Sequence, residues 1–428
     1  MLASQAHRKP TTADPAPLRI GEEEKRYHRA WFEALRQYAQ QGGIVALVSA
    51  EIPHEVLRAM DIPYIVSQWW ASICASRQRA RRYFTALRKR GYAQDLCHYG
   101  SLTLASLLDP EDPPWGGLPR IGILVGRHAT GSEVKIWQLM GHALGEVPLY
   151  LFDRTAPRSD PGPWWEAVGT QWEKVFEPER LDLMVAQMQE LIAFLEHHTG
   201  KRFDRAKFDA IMERSNQQAM WNRKTRDVLA SSRPTPVGLA EVISAVMIPQ
   251  WHRGSEWAVA RARALYETVA RRVQDASAAG APSERLRLMW LGRAPWFGLR
   301  WYAQLEQEYG AKFVWSIYLA MAADAYLRLG SDTLRACASR YVGMEDFLHT
   351  PPWNTAWFVQ QARQFGVDGV VHMVSAGVQG ASGRYLIQQA FAQAGIPFLE
   401  VTGDAVNDEV WEAGGPEEQV RQFVRALR

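Results

Sequence analysis

Residues 366–404, GVDGVVHMVSAGVQGASGRYLIQQAFAQAGIPFLEVTGD, read as a complete unit of strand, loop, helix and strand. The apolar run of Val370, Val371, Met373 and Val374 ends in SAGVQGASG, a loop where glycine and alanine leave the backbone nearly bare. The spacing predicts a helix from about Ser382 to Ala394, with Tyr385, Leu386, Ala390 and Phe391 on one face. Gly395 stops it before the strand IPFLEV. Parallel strands need such a crossover, and open α/β sheets bind ligands beyond the carboxyl ends of their strands, where this loop falls. The loop is therefore the first candidate site, with Ser375, Gly377, Gly380 and Ser382 as binding residues. Backbone amides and a helix start suit an anion or a carbonyl oxygen, although a tight strand-to-helix turn accounts for the same small residues.

Working outward, the same alternation recurs. Ahead of this unit, RLRLMWLG reads as a strand, PWFGLRWYAQLEQEYG as a helix opening on proline, KFVWSIYLA as a strand, and PWNTAWFVQQARQFG as a helix between Pro352 and Gly366. Near the start, GEEEKRYHRAWFEALRQYAQQGG reads as a helix with acidic residues first, which suits the helix dipole. It is followed by the strands IVALVSA, IPYIVSQ, RIGILVG and VPLYLF, with PHEVLRAM and GSEVKIWQLMGHAL as helices. Between the two segments the pattern becomes long helices without strand candidates, punctuated by RPTPVG (residues 233–238) and closed by AGAPSE (residues 279–284). The expected fold class is α/β: two doubly wound parallel-sheet segments, Rossmann-like or flavodoxin-like, with a helical middle region. Residues 1–20 read as a mobile tail, 21–160 as the first helix and α/β domain, 161–282 as the helical middle, and 283–428 as the second α/β domain. Two such segments leave a cleft, where ligands commonly sit.

Composition narrows the function classes. The 428 residues are 47% hydrophobic and 22% charged with a formal charge of +3, too small an excess to argue for a nucleic-acid partner. Cys74, Cys97 and Cys337 are scattered without CxxC or zinc spacing, so neither a disulfide framework nor a zinc site is expected, and the compartment reads as reducing. No apolar leader follows the basic start, and no run of ~18 uncharged apolar residues occurs. The expectation is a cytoplasmic protein with no membrane partner. The 18 tryptophans include Trp69, Trp70, Trp115, Trp164, Trp165, Trp296 and Trp353 beside glycine, proline or a strand end, where some would line clefts while the rest fill the core.

Among the motifs, ICASRQRARRYFTALRKRGY reads as one helix with seven cations in fourteen positions, either a phosphate or partner site or a solvated face, since Tyr83, Phe84 and Leu87 supply an apolar stripe. GRHATGSE, after the third strand, offers His128, Thr130 and Ser132 as catalytic candidates: polar groups at a strand end, suited to acid/base work or substrate hydrogen bonding, with a structural histidine as the alternative. Asp404 and Asp153 follow strands in corresponding places and could reach the cleft or cap a helix. Neither small-residue loop matches a Walker A motif, GxGxxG or GxSxG.

Together, GIVALVSAEIPHEVLRAMDIP, DLCHYG, helices ending in RPTP, and GVDGVVHMVSAGVQG with GIPFLEVTGDAVND resemble the benzoyl-CoA reductase and 2-hydroxyacyl-CoA dehydratase family over nearly the whole chain from Gly21. The larger, benzoyl-CoA-reductase-type subunit is the nearest in pattern, with RAPWFG (residues 293–298) in place of its GP-N-W-like segment. The resemblance implies a heterodimer with a related α/β subunit, an acyl-CoA thioester as ligand, and a [4Fe–4S] cluster held by three cysteines. It places the first ligand on Cys97, the second nearest Thr130, and the third near Ala376 or Gly377, so two of the three thiolates are missing. A metal site on Cys97 would be incomplete, and the cluster is expected to be absent here or held by the partner subunit. The implied function is an acyl-CoA-binding subunit of a dehydratase or reductase complex. The alternatives are a scaffold or assembly subunit and cluster-free acyl-CoA chemistry run by His128 and its neighbours.

Overall fold

The run VALV between Ile44 and Ser49 has no polar side chain on either face, which suits a strand covered on both sides, and it forms the fully buried β1 (Val45–Val48). The structure, a computed structural model, describes residues 19–92, 96–128, 131–160, 162–279, 284–349, 351–375 and 383–428. β2 (Tyr64–Val66), β3 (Ile121–Arg127) and β4 (Leu149–Phe152) join β1 in a parallel sheet of order β2-β1-β3-β4. β5 (Leu286–Leu291), β6 (Ala311–Ser316), β7 (Gly369–Ser375) and β8 (Phe398–Gly403) form a second parallel sheet of order β6-β5-β7-β8. The chain is thus α/β, with the same winding used twice.

That winding locates the sites. In each sheet the chain leaves the first strand toward one edge and returns to the other side, so the loops after β1 and β3, and after β5 and β7, part to open a crevice at the carboxyl ends. The residues delivered there are Glu51, Arg127 and His128 in the first sheet and Arg293 and Ser375 in the second. Gly292 makes the second crevice possible: its φ is +90°, and a Cβ on it would stand 2.3 Å from the Met373 carbonyl oxygen of β7.

The long helices between the sheets are Pro178–Thr199, Arg205–Ser231, Leu239–Trp251 and Glu256–Ala279. Proline at the first turn and the left-handed Gly200 bound the first of them, and the Asp204 carboxylate caps the second by accepting from the Lys207 amide at 2.9 Å. Helix Arg205–Ser231 packs against Glu256–Ala279, against the short helix His54–Ala59, and against the segment Met321–Ala325 that follows the second sheet's edge. The middle helices therefore touch both α/β units. A buried carboxylate ties the same parts together: Glu55 accepts from Arg253 Nε at 2.8 Å, Arg340 Nη1 at 3.0 Å and Tyr341 Oη at 2.6 Å, with all four side chains in the interior.

Some expected elements differ in detail. The basic stretch is two helices, Ser67–Ser76 and Ala80–Lys89, because the chain turns at Gln78 with φ of 58°. The helix expected to open on Pro295 starts at Arg300, since a turn bonding the Gly298 amide to the Pro295 carbonyl comes first. KFVWSIYLA is strand only to Ser316 and then turns into the helix Ile317–Ala320, where Tyr318 is held through its hydroxyl by the Ala294 amide. The long helix Thr333–His349 and the closing helices Asp408–Gly414 and Pro416–Ala426 complete the described chain. None of the described helices is long and apolar enough to cross a membrane.

Candidate functional site

Cys97 precedes the helix His98–Leu108 and serves as its N-cap residue, without a side-chain capping bond. Burial pushes its thiol up from the ordinary range, while the Arg293 guanidinium and the amides of the helix's first turn work in the opposite direction. The next residue, His98, bridges the two α/β units: its Nδ1 lies 2.8 Å from Oδ2 of Asp404, just past β8. The other oxygen of Asp404 accepts from the Val406 and Asn407 amides, both at 2.9 Å, so the carboxylate is fixed before it meets the imidazole. Ser375 belongs to the same end of the sheet, because it is paired in register with Gly403 beside Asp404.

Arg293 enters from the end of β5. Its guanidinium carbon stands 4.9 Å from the centre of the Tyr99 ring, and its main-chain carbonyl accepts from Trp290 Nε1 at 3.1 Å. Trp296 donates from Nε1 to the Tyr99 hydroxyl, and its amide is bonded to the Ala405 carbonyl at 2.9 Å. Tyr318 Oη, occupied by the Ala294 amide at 2.9 Å, closes the wall. Burial holds the Tyr99 phenol well above its usual range and pushes Tyr318 up to about 12, so both are neutral near pH 7. The Arg293 guanidinium itself makes no hydrogen bond and no ion pair with any described residue. Glu51 acts on it electrostatically but is ion-paired to Arg127.

On the first sheet, Arg127 joins Glu51 and lies 3.6 Å from Glu133 in the helix Gly131–Ala143. His128 Nδ1 is 3.3 Å from Asp153 Oδ1, the Asp153 that follows β4, and both side chains are largely exposed. Glu51, Arg127, His128 and Asp153, with Phe152 and Tyr341, line a pocket with about 380 Å³ of open space at the carboxyl ends of β3 and β4. Ser132 sits in the first turn of the helix that follows.

Of the residues singled out in the sequence, Cys97, His128, Ser132 and Ser375 are described, while Thr130, Gly377, Gly380 and Ser382 lie outside the described residues. Cys97 is joined by His98, Tyr99, Arg293, Tyr318 and Asp404. Only Asp404 of these partners was a sequence candidate. Arg293 had a signal that sequence reading could have used, being a charged residue two positions past a strand whose only charged side chain is Arg287. The cationic helices resolve toward structure: Arg79 pairs with Asp112, Arg81 with Asp408 and Glu412, Arg82 with Asp109 and Glu111, and Arg88 with Glu409. Several of these clamp the first unit to the last turns of the second.

The other two thiols are buried in separate helices. Cys74 is buried in helix Ser67–Ser76, and Cys337 is buried in helix Thr333–His349 with its sulfur 4.0 Å from Glu55 Oε2. Among the described residues, no group of three or more His, Cys, Asp or Glu side chains is placed to hold a metal ion.

Comparison with known proteins agrees with this layout. The family described as 2-hydroxyglutaryl-CoA dehydratase, D-component, matches residues 50–427. The chain is 21% identical over 282 residues to the (R)-phenyllactyl-CoA dehydratase alpha subunit of Clostridium sporogenes, and 20% identical over 286 residues to the (R)-2-hydroxyisocaproyl-CoA dehydratase alpha subunit of Clostridioides difficile. Each of these matches spans 65% of both proteins, just short of two thirds of the relatives' length. A longer match, 18% identical over 409 residues and 92% of both chains, is to the lactoyl-CoA dehydratase subunit alpha of Anaerotignum propionicum.

Proposed function

This chain belongs to the 2-hydroxyglutaryl-CoA dehydratase D-component family, and from that premise we propose that it is the acyl-CoA-binding subunit of a 2-hydroxyacyl-CoA dehydratase-type or benzoyl-CoA-reductase-type complex, without a complete iron–sulfur cluster of its own. The observation that supports this best is the lodging of Cys97, Tyr99 and Arg293 where the first unit's helix His98–Leu108 meets the strand ends of the second. A half-buried cation, two neutral phenols and a helix N-terminus brought together there suit an oxygen-bearing acyl group. RPTP and RAPWFG support the larger, benzoyl-CoA-reductase-type subunit within the family.

The residues present do not fit a cubane. Cys97 offers a single sulfur, and burial disfavours its thiolate form. Threonine at position 130 and alanine or glycine at 376 and 377 supply either a hard, weakly acidic hydroxyl or nothing, where iron–sulfide chemistry needs thiolates. Any low-potential electron step therefore belongs to a related, cysteine-bearing partner subunit. This chain's own contribution is to bind and orient the thioester. His98, with Nδ1 engaged by Asp404, holds the start of its helix, next to Cys97, against the end of β8.

Co-expression with a related cysteine-bearing subunit, followed by calorimetry with acyl-CoAs, tests the proposal. The expected result is a stable heterodimer that binds acyl-CoA. A chain that stays alone and binds no CoA thioester in either setting would refute it.

A further inference from the structure

The geometry points to Arg293 as the receptor for an acyl-group oxygen, a thioester carbonyl or a carboxylate, in preference to the phosphates of CoA. This rests on the reading above that the cleft takes an acyl-CoA. A guanidinium with five donors in a fixed fork is rarely left unused in a protein interior, because an uncompensated charge there is costly. Arg293 is a half-buried guanidinium without a bonded partner among the described residues. Its stem is fixed by Gly292, whose left-handed turn beside Met373 admits no side chain, and by the buried Ala294, whose amide is bonded to Tyr318. Its plane is backed by the Tyr99 ring at 4.9 Å.

No described side chain is bonded to the Arg293 guanidinium, and the nearest carboxylate that acts on it, Glu51, is ion-paired to Arg127. Since no described residue supplies an acceptor for the fork, a ligand oxygen is the group that would complete it. The aromatic groups beside it, Tyr99, Trp296 and Tyr318, suit an acyl chain, whereas the charged and hydrated phosphates of CoA are better matched by exposed cations. A carbonyl or a carboxylate oxygen fits the same fork, and the two are separable by ligand choice.

Calorimetry on the full chain, with its co-purifying partner where one is present, compares acetyl-CoA, free CoA and glutarate against wild type, Arg293→Gln and Arg293→Lys. Wild type is expected to bind acetyl-CoA more tightly than free CoA. In Arg293→Gln that preference should fall on the order of ten- to a hundredfold, with free CoA unchanged and Arg293→Lys in between. Glutarate binding that also needs Arg293 would identify a carboxylate as a second acceptor. Equal wild-type affinity for acetyl-CoA and free CoA, or an equal loss of both in Arg293→Gln, would overturn the inference. If neither CoA form binds but glutarate does so through Arg293, the oxygen receptor stands and the acyl-CoA reading falls. Binding of none of the three would remove both. Should Arg293→Gln fail to fold, phenylglyoxal labelling of Arg293 in the wild-type protein gives the same decision: protection by acetyl-CoA and not by free CoA supports the assignment, and equal or absent protection overturns it.

Discussion

Replacing Glu55 with glutamine isolates the network that joins the first α/β unit to the middle helices and to helix Thr333–His349. In the native chain one carboxylate faces two buried guanidinium groups, Arg253 at 2.8 Å and Arg340 at 3.0 Å, and takes the Tyr341 hydroxyl on its other oxygen at 2.6 Å. Glutamine keeps the shape and one acceptor, but its amide nitrogen meets a donor, and the two cations lose their counter-charge. Breaking a buried pair by removing one partner costs about 3–5 kcal/mol, a large share of the roughly 5–15 kcal/mol that holds a domain folded. Burial alone would raise the Glu55 carboxyl, yet Arg253 and Arg340 outweigh it and hold the group well below the usual carboxylate range. Its contribution is therefore complete above about pH 4.3 and is lost as pH falls through the depressed folded value. Urea unfolding at pH 7, followed by tryptophan fluorescence, should show Glu55→Gln less stable by that amount. Adding Arg340→Met should cost much less than its effect alone, because the two changes share one network. A loss under about 1 kcal/mol, or simple additivity in the double variant, would refute the account of the network.

Three other perturbations follow from the same physics. Burial pushes the Glu24 carboxyl up to about 9, so the folded chain keeps a proton that the unfolded chain releases above about pH 4.3, and stability falls as pH rises between those values. Glu24→Gln should raise Tm at pH 8, with the gain closing by pH 4.5. His28, stacked 4.5 Å from Trp69 with both ring nitrogens unbonded, is lowered to about 3 by burial, so its contribution is complete above about pH 6.5 and lost on acidification. His28→Phe should flatten the fall of Tm between pH 6.5 and 4. Gly292→Ala combines a left-handed φ with a contact of 2.3 Å to the Met373 carbonyl, and should cost about 2–4 kcal/mol in the same urea assay.

All eight strands among the described residues overlap apolar runs visible in the sequence, because strands with both faces covered need no polar residues and stand out as continuous blocks. Boundaries were less legible where the cause was tertiary. Nothing local in WSIYLA distinguishes strand from helix, and the hydroxyl of Tyr318 is fixed by Ala294, 24 positions earlier. The site was only partly visible for the same reason. His128 could be read as a polar group at a strand end and Cys97 through the family resemblance, but His98 gains its meaning from Asp404, 306 positions away, and Tyr99 from Trp296, 197 positions away. The arginines of the basic stretch looked available for phosphate because their carboxylate partners, among them Asp408 and Glu409, lie in the closing turns of the chain.

Iron and acid-labile sulfide, assayed with absorption spectra on the anaerobically purified chain, test most directly whether this family member binds acyl-CoA without a cluster of its own. The account predicts no stoichiometric iron or sulfide, and no change in either on Cys97→Ala. About four irons per chain, lost on Cys97→Ala, would contradict it, because a complete cubane would then be held here on non-thiolate ligands or on thiols brought from elsewhere.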